Sequence, residues 1–166
     1  MILAIDVDYK GNTANAAGIV FKDWKDSESF KEYTVQLDKI KEYIPGQFYK
    51  RELPCLTALH RIVNEEVTTI IIDGFVWLSD IYKKGLGAYL YQKLDRKIPV
   101  IGVAKKSFYS LGENYREIYR GESKSPLFIT SAGIDLDIAA DNIKIMAGEH
   151  RLPILLKKVD FLCRKW

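Results

Sequence analysis

The stretch that most constrains this chain is Thr68-Thr69-Ile70-Ile71-Ile72-Asp73-Gly74. Its run of β-branched residues offers no polar face, so it does not suit a strand with one side in water. Runs of this kind belong to strands buried on both faces, beneath helices. A second such run, Ile98-Pro99-Val100-Ile101-Gly102-Val103-Ala104, leads into Lys105-Lys106. Between them, residues 80–94 carry Leu86, Leu90 and Leu94 at helical spacing, with Gly85 and Gly87 weakening the start. Two buried strands joined through a helix point to an α/β fold.

The rest of the chain fits around this unit. Residues 2–9 read as a strand that is apolar until its acidic end, and Gly11-Asn12 marks a hairpin turn. Residues 16–24 and 28–37 read as two further strands, so the amino-terminal part is an antiparallel meander. A turn at Pro45-Gly46 leads into a helix from about Lys50, with Leu53, Leu56, Leu59, His60, Val63 and Val67 as its stripe. Short strands are expected at 115–119 and 127–130. Helices are expected at 135–147 and 153–164, with Pro153 suited to a first-turn position. The order β-β-β-α-β-α-β-β-β-α-α predicts a mixed central sheet flanked by helices, and it resembles a ribonuclease H-like fold. No repeat or linker divides residues 1–166, which are read as a single domain.

Composition narrows the function classes. No apolar run approaches the length of a membrane span. The start lacks the basic region and cleavage site of a signal peptide, so a cytoplasmic protein, off the membrane and monomeric, is expected. Cys55 and Cys163 lack metal-type spacing and read as buried reduced thiols. The net charge of +3 permits nucleic-acid binding without requiring it.

Two of the buried-looking strands end in aspartate, Asp6 and Asp73. Each residue has a bland reading as the opening of a turn, as in Asp73-Gly74. The other reading is a site, because sites in open α/β sheets form at the carboxyl ends of strands. Glu52, placed in the first helical turn, is favoured there by the helix dipole. In a sheet that sets the first strand beside the strand ending at Asp73, all three carboxylates converge. Like charges raise one another's pKa, and a hard divalent cation relieves that. Mg²⁺ is usually held by one or two carboxylates together with substrate phosphate oxygens. The chemistry that fits is metal-assisted phosphodiester hydrolysis. Lys105 is either a transition-state stabiliser pointing at the same place or a solvated lysine at a strand end. Lys106 faces the other way.

With these residues in view the chain resembles the endonuclease V family of ribonuclease H-like nucleases, which recognise hypoxanthine in nucleic acid. The resemblance rests on Asp6-Val7-Asp8-Tyr9, Tyr43-Ile44-Pro45-Gly46, Arg51-Glu52, Ile72-Asp73-Gly74, Ile101-Gly102-Val103-Ala104-Lys105, Gly133-Ile134-Asp135 and Arg151-Leu152-Pro153, in the family's order. It implies a DNA- or RNA-cleaving endonuclease of the repair type, with Mg²⁺ as cofactor and Mn²⁺ able to substitute. It implies Asp6, Glu52 and Asp73 as the metal site, with Lys105 as the catalytic lysine. Tyr43, Ile44, Pro45 and Gly46 would form a wedge that replaces lost base stacking. Arg51 and Gly133 are carried over as nucleic-acid contacts.

The chain departs from the family pattern at several points. Gly133-Ile134-Asp135 stands where the family has Gly-His-Arg, and a second histidine is absent from Phe75-Val76-Trp77-Leu78-Ser79. Glu42 replaces a proline before the wedge, Asp8 replaces a small residue, and the family's usual amino-terminal extension is lacking. Asp135 or Asp137 is read either as a compensating carboxylate or as a helix cap and first-turn acid. Two alternatives to inosine cleavage follow. One is a catalytically weak module that binds nucleic acid or protein; the other is a nuclease selective for branched or flapped structures.

Overall fold

The computed structural model describes residues 1–166. Runs of buried, mostly apolar residues and a Gly11-Asn12 turn fold β1 (Ile2–Lys10) directly back onto β2 (Thr13–Phe21), in a register that pairs Lys10 with Thr13. β3 (Lys31–Leu37) adds antiparallel to β2 and closes the meander. The chain then runs α1 (Phe48–Ile62), β4 (Thr69–Asp73), α2 (Leu86–Lys93), β5 (Val100–Ala104), β6 (Arg116–Ile118), β7 (Leu127–Ala132), α3 (Leu136–Lys144) and α4 (Ile154–Cys163). The element order matches the expectation from sequence. The seven strands form one mixed sheet in the order β3-β2-β1-β4-β5-β7-β6, with β1, β4 and β5 mutually parallel.

Strand parity divides the core into two layers. Leu3 and Ile5 of β1 and Ile70 and Ile72 of β4 pack with Cys55, Leu56 and Leu59 of α1. Ile2, Ala4, Ile71, Ile101 and Val103 face the opposite way and pack with α3 and α4, including Leu155, Leu156 and Val159. Successive strand residues point to opposite faces. Asp6, Asp73 and Lys105 therefore continue the rows that α4 covers. Both cysteines are buried and reduced. No helix is long and apolar enough to cross a membrane.

Among the boundaries that differ from the sequence expectation, three have a local physical cause. α1 begins at Phe48, so Glu52 lies beyond the first turn and is only 5% exposed, and its placement owes nothing to a solvated helix end. The helix expected from residue 80 starts only at Leu86. Gly85 lies so close to the Phe75 carbonyl that a Cβ there would stand 2.6 Å from its oxygen, which keeps residues 75–85 folded back as a loop. That loop carries an isolated bridge between Trp77 and Lys84. β2 ends at Phe21 and not at Trp24, because Lys22, Asp23 and Asp26 form a turn in which Asp26 Oδ2 accepts from the first two amides at 3.0 Å.

Candidate active site

The register of the parallel strands builds the centre of the site. Ile5 pairs with Ile72, so Asp6 and Asp73 occupy adjacent positions at the carboxyl ends of neighbouring strands. Asp73 pairs with Val103, and Lys105 follows two residues later on the same face. Its Nζ lies 3.0 Å from Asp73 Oδ2. Glu52 reaches the same edge from α1, on the other side of the sheet. Burial first, then the charges of Asp6 and Asp73, hold its carboxyl well above the usual range.

α4 supplies a fourth carboxylate that the sequence reading did not single out. Asp160 projects from α4 near Asp6, whose pKa its charge raises, and has Arg164 Nη2 at 2.8 Å from its Oδ1. Burial opposes its charge, but the bond from Arg164 and the charge of Lys105 hold its pKa below the usual range. Asp6, 9% exposed, carries the opposite shift: burial first, then the charge of Asp73, raises it to about 7, against the Val7 amide that donates at 2.8 Å. Of the two, Asp6 is the carboxyl shifted toward its protonated form and Asp160 the one held toward its ionised form. Lys105 remains a cation, since the Asp73 charge and hydrogen bond outweigh its partial burial.

The sequence carried a signal for Asp160. Leu156, Val159, Asp160 and Cys163 fall on one helical stripe, and Leu156, Val159 and Cys163 are buried. An acid within an apolar stripe needs a partner.

The expected fourth carboxylate lies elsewhere. β7 runs antiparallel to β5, and Ala132 pairs with Val100, which through Ile70 stands level with Leu3. At 3.3 Å per residue the chain is already about 10 Å below Asp6 there, and Gly133-Ile134-Asp135 continues away from the site. Asp135 caps α3 by accepting from the Ile138 amide at 3.0 Å. Asp137 pairs with Arg116 Nε at 2.6 Å. Gly133, with φ +77°, packs against the Tyr91 ring at that far edge. Arg51 turns inward as well: its guanidinium lies 4.0 Å from the centre of the Tyr9 ring and reaches the Gly11 carbonyl.

The Tyr43-Ile44-Pro45-Gly46 turn is where the resemblance puts a wedge, and its side chains do not fold onto the core. Tyr43 is 57% and Ile44 50% exposed. The Gln47 amide donates to the Ile44 carbonyl at 2.9 Å with Gly46 at φ +77°, a type II turn with proline and glycine at their preferred positions. Between this turn and Asp73 lies a groove of ≈ 510 Å³ lined by Gly46, Phe48, Gly74, Phe75, Tyr89 and Phe108 among others.

The residues present suit a hard divalent cation. No three acidic, cysteine or histidine side chains form a ready-made cation cage. Mg²⁺, however, takes one or two carboxylates and keeps its other positions for water and substrate oxygens. Glu52 Oε2 is buried without a hydrogen-bond partner, and burial with the charge of Asp73 raises the Asp6 carboxyl to about 7. Both conditions are relieved by a cation at Asp6 and Asp73.

Arg151 stabilises the rear of the site. Its Nη2 donates to the carbonyls of Lys105 and Pro126, the latter at 2.7 Å, and so ties the approach to α4 to the end of β5. Asp8, next outward from Asp6 on the same strand face, accepts from the Trp166 indole at 3.0 Å.

A meander followed by parallel strands, with carboxylates at the ends of β1 and β4 and a covering carboxy-terminal helix, is the ribonuclease H-like class of α/β protein. Within that class the chain belongs to the endonuclease V family, whose model matches residues 1–132. It is 32% identical over 172 residues to endonuclease V of Thermococcus kodakarensis, covering 97% of this chain and 76% of that one. It is also 32% identical over 118 residues to endonuclease V of Pyrococcus abyssi, where the match spans 70% of this chain and 58% of the relative's length. The structure resembles that of Ciona intestinalis endonuclease V in complex with an inosine-containing DNA, with a TM-score of 0.80 at 17% identity, covering 99% of this chain and 84% of that one.

Proposed function

We propose that this protein is a metal-dependent endonuclease that hydrolyses phosphodiester bonds near deaminated bases, hypoxanthine above all, in DNA or RNA. The observation that carries the reading is the meeting of Asp6, Glu52, Asp73, Asp160 and Lys105 at one sheet edge, from four different elements and the end of a fifth. Asp6 and Asp73 would hold Mg²⁺, or Mn²⁺ in its place, with Glu52 and Asp160 completing the charge around it. When bound, the cation lowers the pKa of a water nucleophile and neutralises charge on the leaving oxygen.

The chain's own groups do the rest. Lys105 carries its charge to the place where a phosphate bound beside Asp73 gains negative charge, and it is held there in advance by Arg151. The rigid Tyr43-Ile44-Pro45-Gly46 turn inserts where a base has left the stack. The groove between the turn and Asp73, walled by aromatic rings, receives that base beside the cleaved backbone. The Endonuclease V relatives and the inosine-bearing Ciona complex support this choice of substrate.

The test is cleavage of labelled single- and double-stranded DNA and RNA, each with and without one inosine, in Mg²⁺ and in Mn²⁺, alongside Asp73→Ala. Inosine-dependent nicking that disappears in Asp73→Ala is expected. Absence of cleavage of every substrate in both metals, with nucleic acid still bound, overturns the nuclease reading in favour of a binding module.

A further inference from the structure

Phe75 follows Asp73 by two residues and Phe108 follows Lys105 by three, so both rings hang from the strand ends that supply the site. Their centroids are 6.1 Å apart, and Phe108 in turn stacks on Tyr109 with centroids 5.0 Å apart and planes at 26°. The rings form a ladder leading outward from Asp73 and Lys105. Its last rung, Tyr109, is 95% exposed and leaves a ring face open to solvent.

The two loops that carry the ladder are tied together. Ser110 Oγ donates to the Leu78 carbonyl at 2.7 Å, and Asn114 Nδ2 donates to the Ser79 and Asp80 carbonyls at 2.9 and 3.0 Å. Gly112, at φ +59°, packs so closely on Asp80 that no side chain fits between the loops. The rings are thus held in place before any ligand arrives, which lowers the cost of binding to them.

The same loops carry Lys83, Lys84, Lys105 and Lys106 against Asp73, Asp80 and Glu113. Lys105 is paired with Asp73, and Lys84 donates to Gln92, but Lys83 and Lys106 are exposed and in no ion pair. An open aromatic face, with the unpaired Lys83 lining the same groove as Phe108 and Asp73, matches single-stranded nucleic acid. Bases stack on such rings whatever their sequence, while lysines follow the backbone. A base inside an intact duplex has no free face to offer.

We propose that Phe108 and Tyr109 form a stacking site for an unpaired nucleotide next to the cleaved one, which makes single-stranded or locally melted nucleic acid the preferred substrate form. The proposal rests on the nuclease reading for its place in the reaction, but its test does not depend on cleavage. Binding of inosine-free oligonucleotides carrying 2-aminopurine at successive positions is measured in EDTA for wild type, Tyr109→Ala and Tyr109→Phe. The expected result is about a tenfold loss of single-strand affinity in Tyr109→Ala, in line with the worth of one stacked base. Fluorescence quenching should be lost at one nucleotide position, Tyr109→Phe should restore both, and duplex affinity should change less than about twofold. Equal single-strand affinity in wild type and Tyr109→Ala, or an equal loss on duplex, overturns the stacking site. Failure of wild type to cut inosine substrates would count against the nuclease reading alone.

Discussion

Lys105 Nζ stands 3.0 Å from Asp73 Oδ2, an ion pair made across the paired ends of β4 and β5 and supported from behind by Arg151. Under the proposed function the ammonium would meet a phosphate bound beside Asp73, and its charge would serve the transition state more than the resting fold. Lys105→Ala is expected to lower kcat by about 10²–10³-fold, the usual worth of a preorganised charge or donor at a developing oxyanion. KM should change far less. Because the substitution also removes a competitor for Asp73, Mg²⁺ affinity should hold or rise. Single-turnover cleavage and metal-titrated melting separate the two effects.

Under the proposed function Arg151 would act on the reaction only through the Lys105 and Pro126 carbonyls to which it donates. Arg151→Ala should reduce kcat and leave metal-dependent stabilisation in place. Arg151→Lys should restore only part of the rate, since one ammonium cannot reproduce both guanidinium bonds. The check is the same cleavage assay, with melting in Mg²⁺ as control.

Without metal, Asp6 makes the protein less stable as pH rises. Its carboxyl ionises at about 7 in the folded chain against an ordinary 3.8, so between these values the folded state binds the extra proton. That contribution is complete below about pH 4 and is lost as pH climbs through about 7, with a ceiling of roughly 4 kcal/mol for the shift that burial and Asp73 impose. In EDTA, melting temperature should therefore fall from pH 5 to pH 8. Asp6→Asn should flatten the fall, and Mg²⁺ should restore stability at pH 8 in wild type alone.

The contrast between Asp135 and Asp160 shows how far the sequence could be read. Asp6 and Asp73 were legible because apolar strands that end in an acid announce both the strand and its functional end. Glu52 was legible by its place in the helix after the Pro-Gly turn, although the start of that helix was set two residues late. What the sequence does not encode locally is strand direction. The antiparallel course of β7 sends Asp135 to the far edge, while the packing of α4 across the faces of β1 and β2 brings Asp160 in. Long-range pairing decided both outcomes.

That contrast is open to measurement. Asp135→Ala removes a helix cap and should cost about 1 kcal/mol of stability while leaving cleavage intact. Asp160→Asn should lower melting in EDTA modestly, because a neutral amide gives up the charge that Arg164 and Lys105 favour. It should also weaken Mg²⁺ stabilisation and cleavage at least about tenfold, the lower range seen when groups supporting a metal site are replaced. Loss of activity in Asp135→Ala with none in Asp160→Asn would reverse the assignment.

The proposed wedge and the proposed aromatic ladder would make opposite demands on the substrate. Tyr43 rests edge-on against Phe48 with centroids 6.4 Å apart and projects from a turn whose shape is set by Pro45 and Gly46. Its apolar surface is useful only where strands must be kept apart, since a single strand needs no separation. Tyr43→Ala should therefore reduce cleavage of an inosine in duplex DNA and have little effect on the same strand unpaired. A loss of roughly 5- to 50-fold on duplex corresponds to one lost stacking contact at the lesion. Gly46→Val should act in the same direction, because φ +77° is strained for a β-branched residue and the turn would reshape. Tyr109→Ala should show the reverse preference, losing single strands first. If both tyrosine variants impair duplex and single-strand cleavage equally, then the two surfaces act as one binding face, and the division of labour between strand separation and single-strand capture fails.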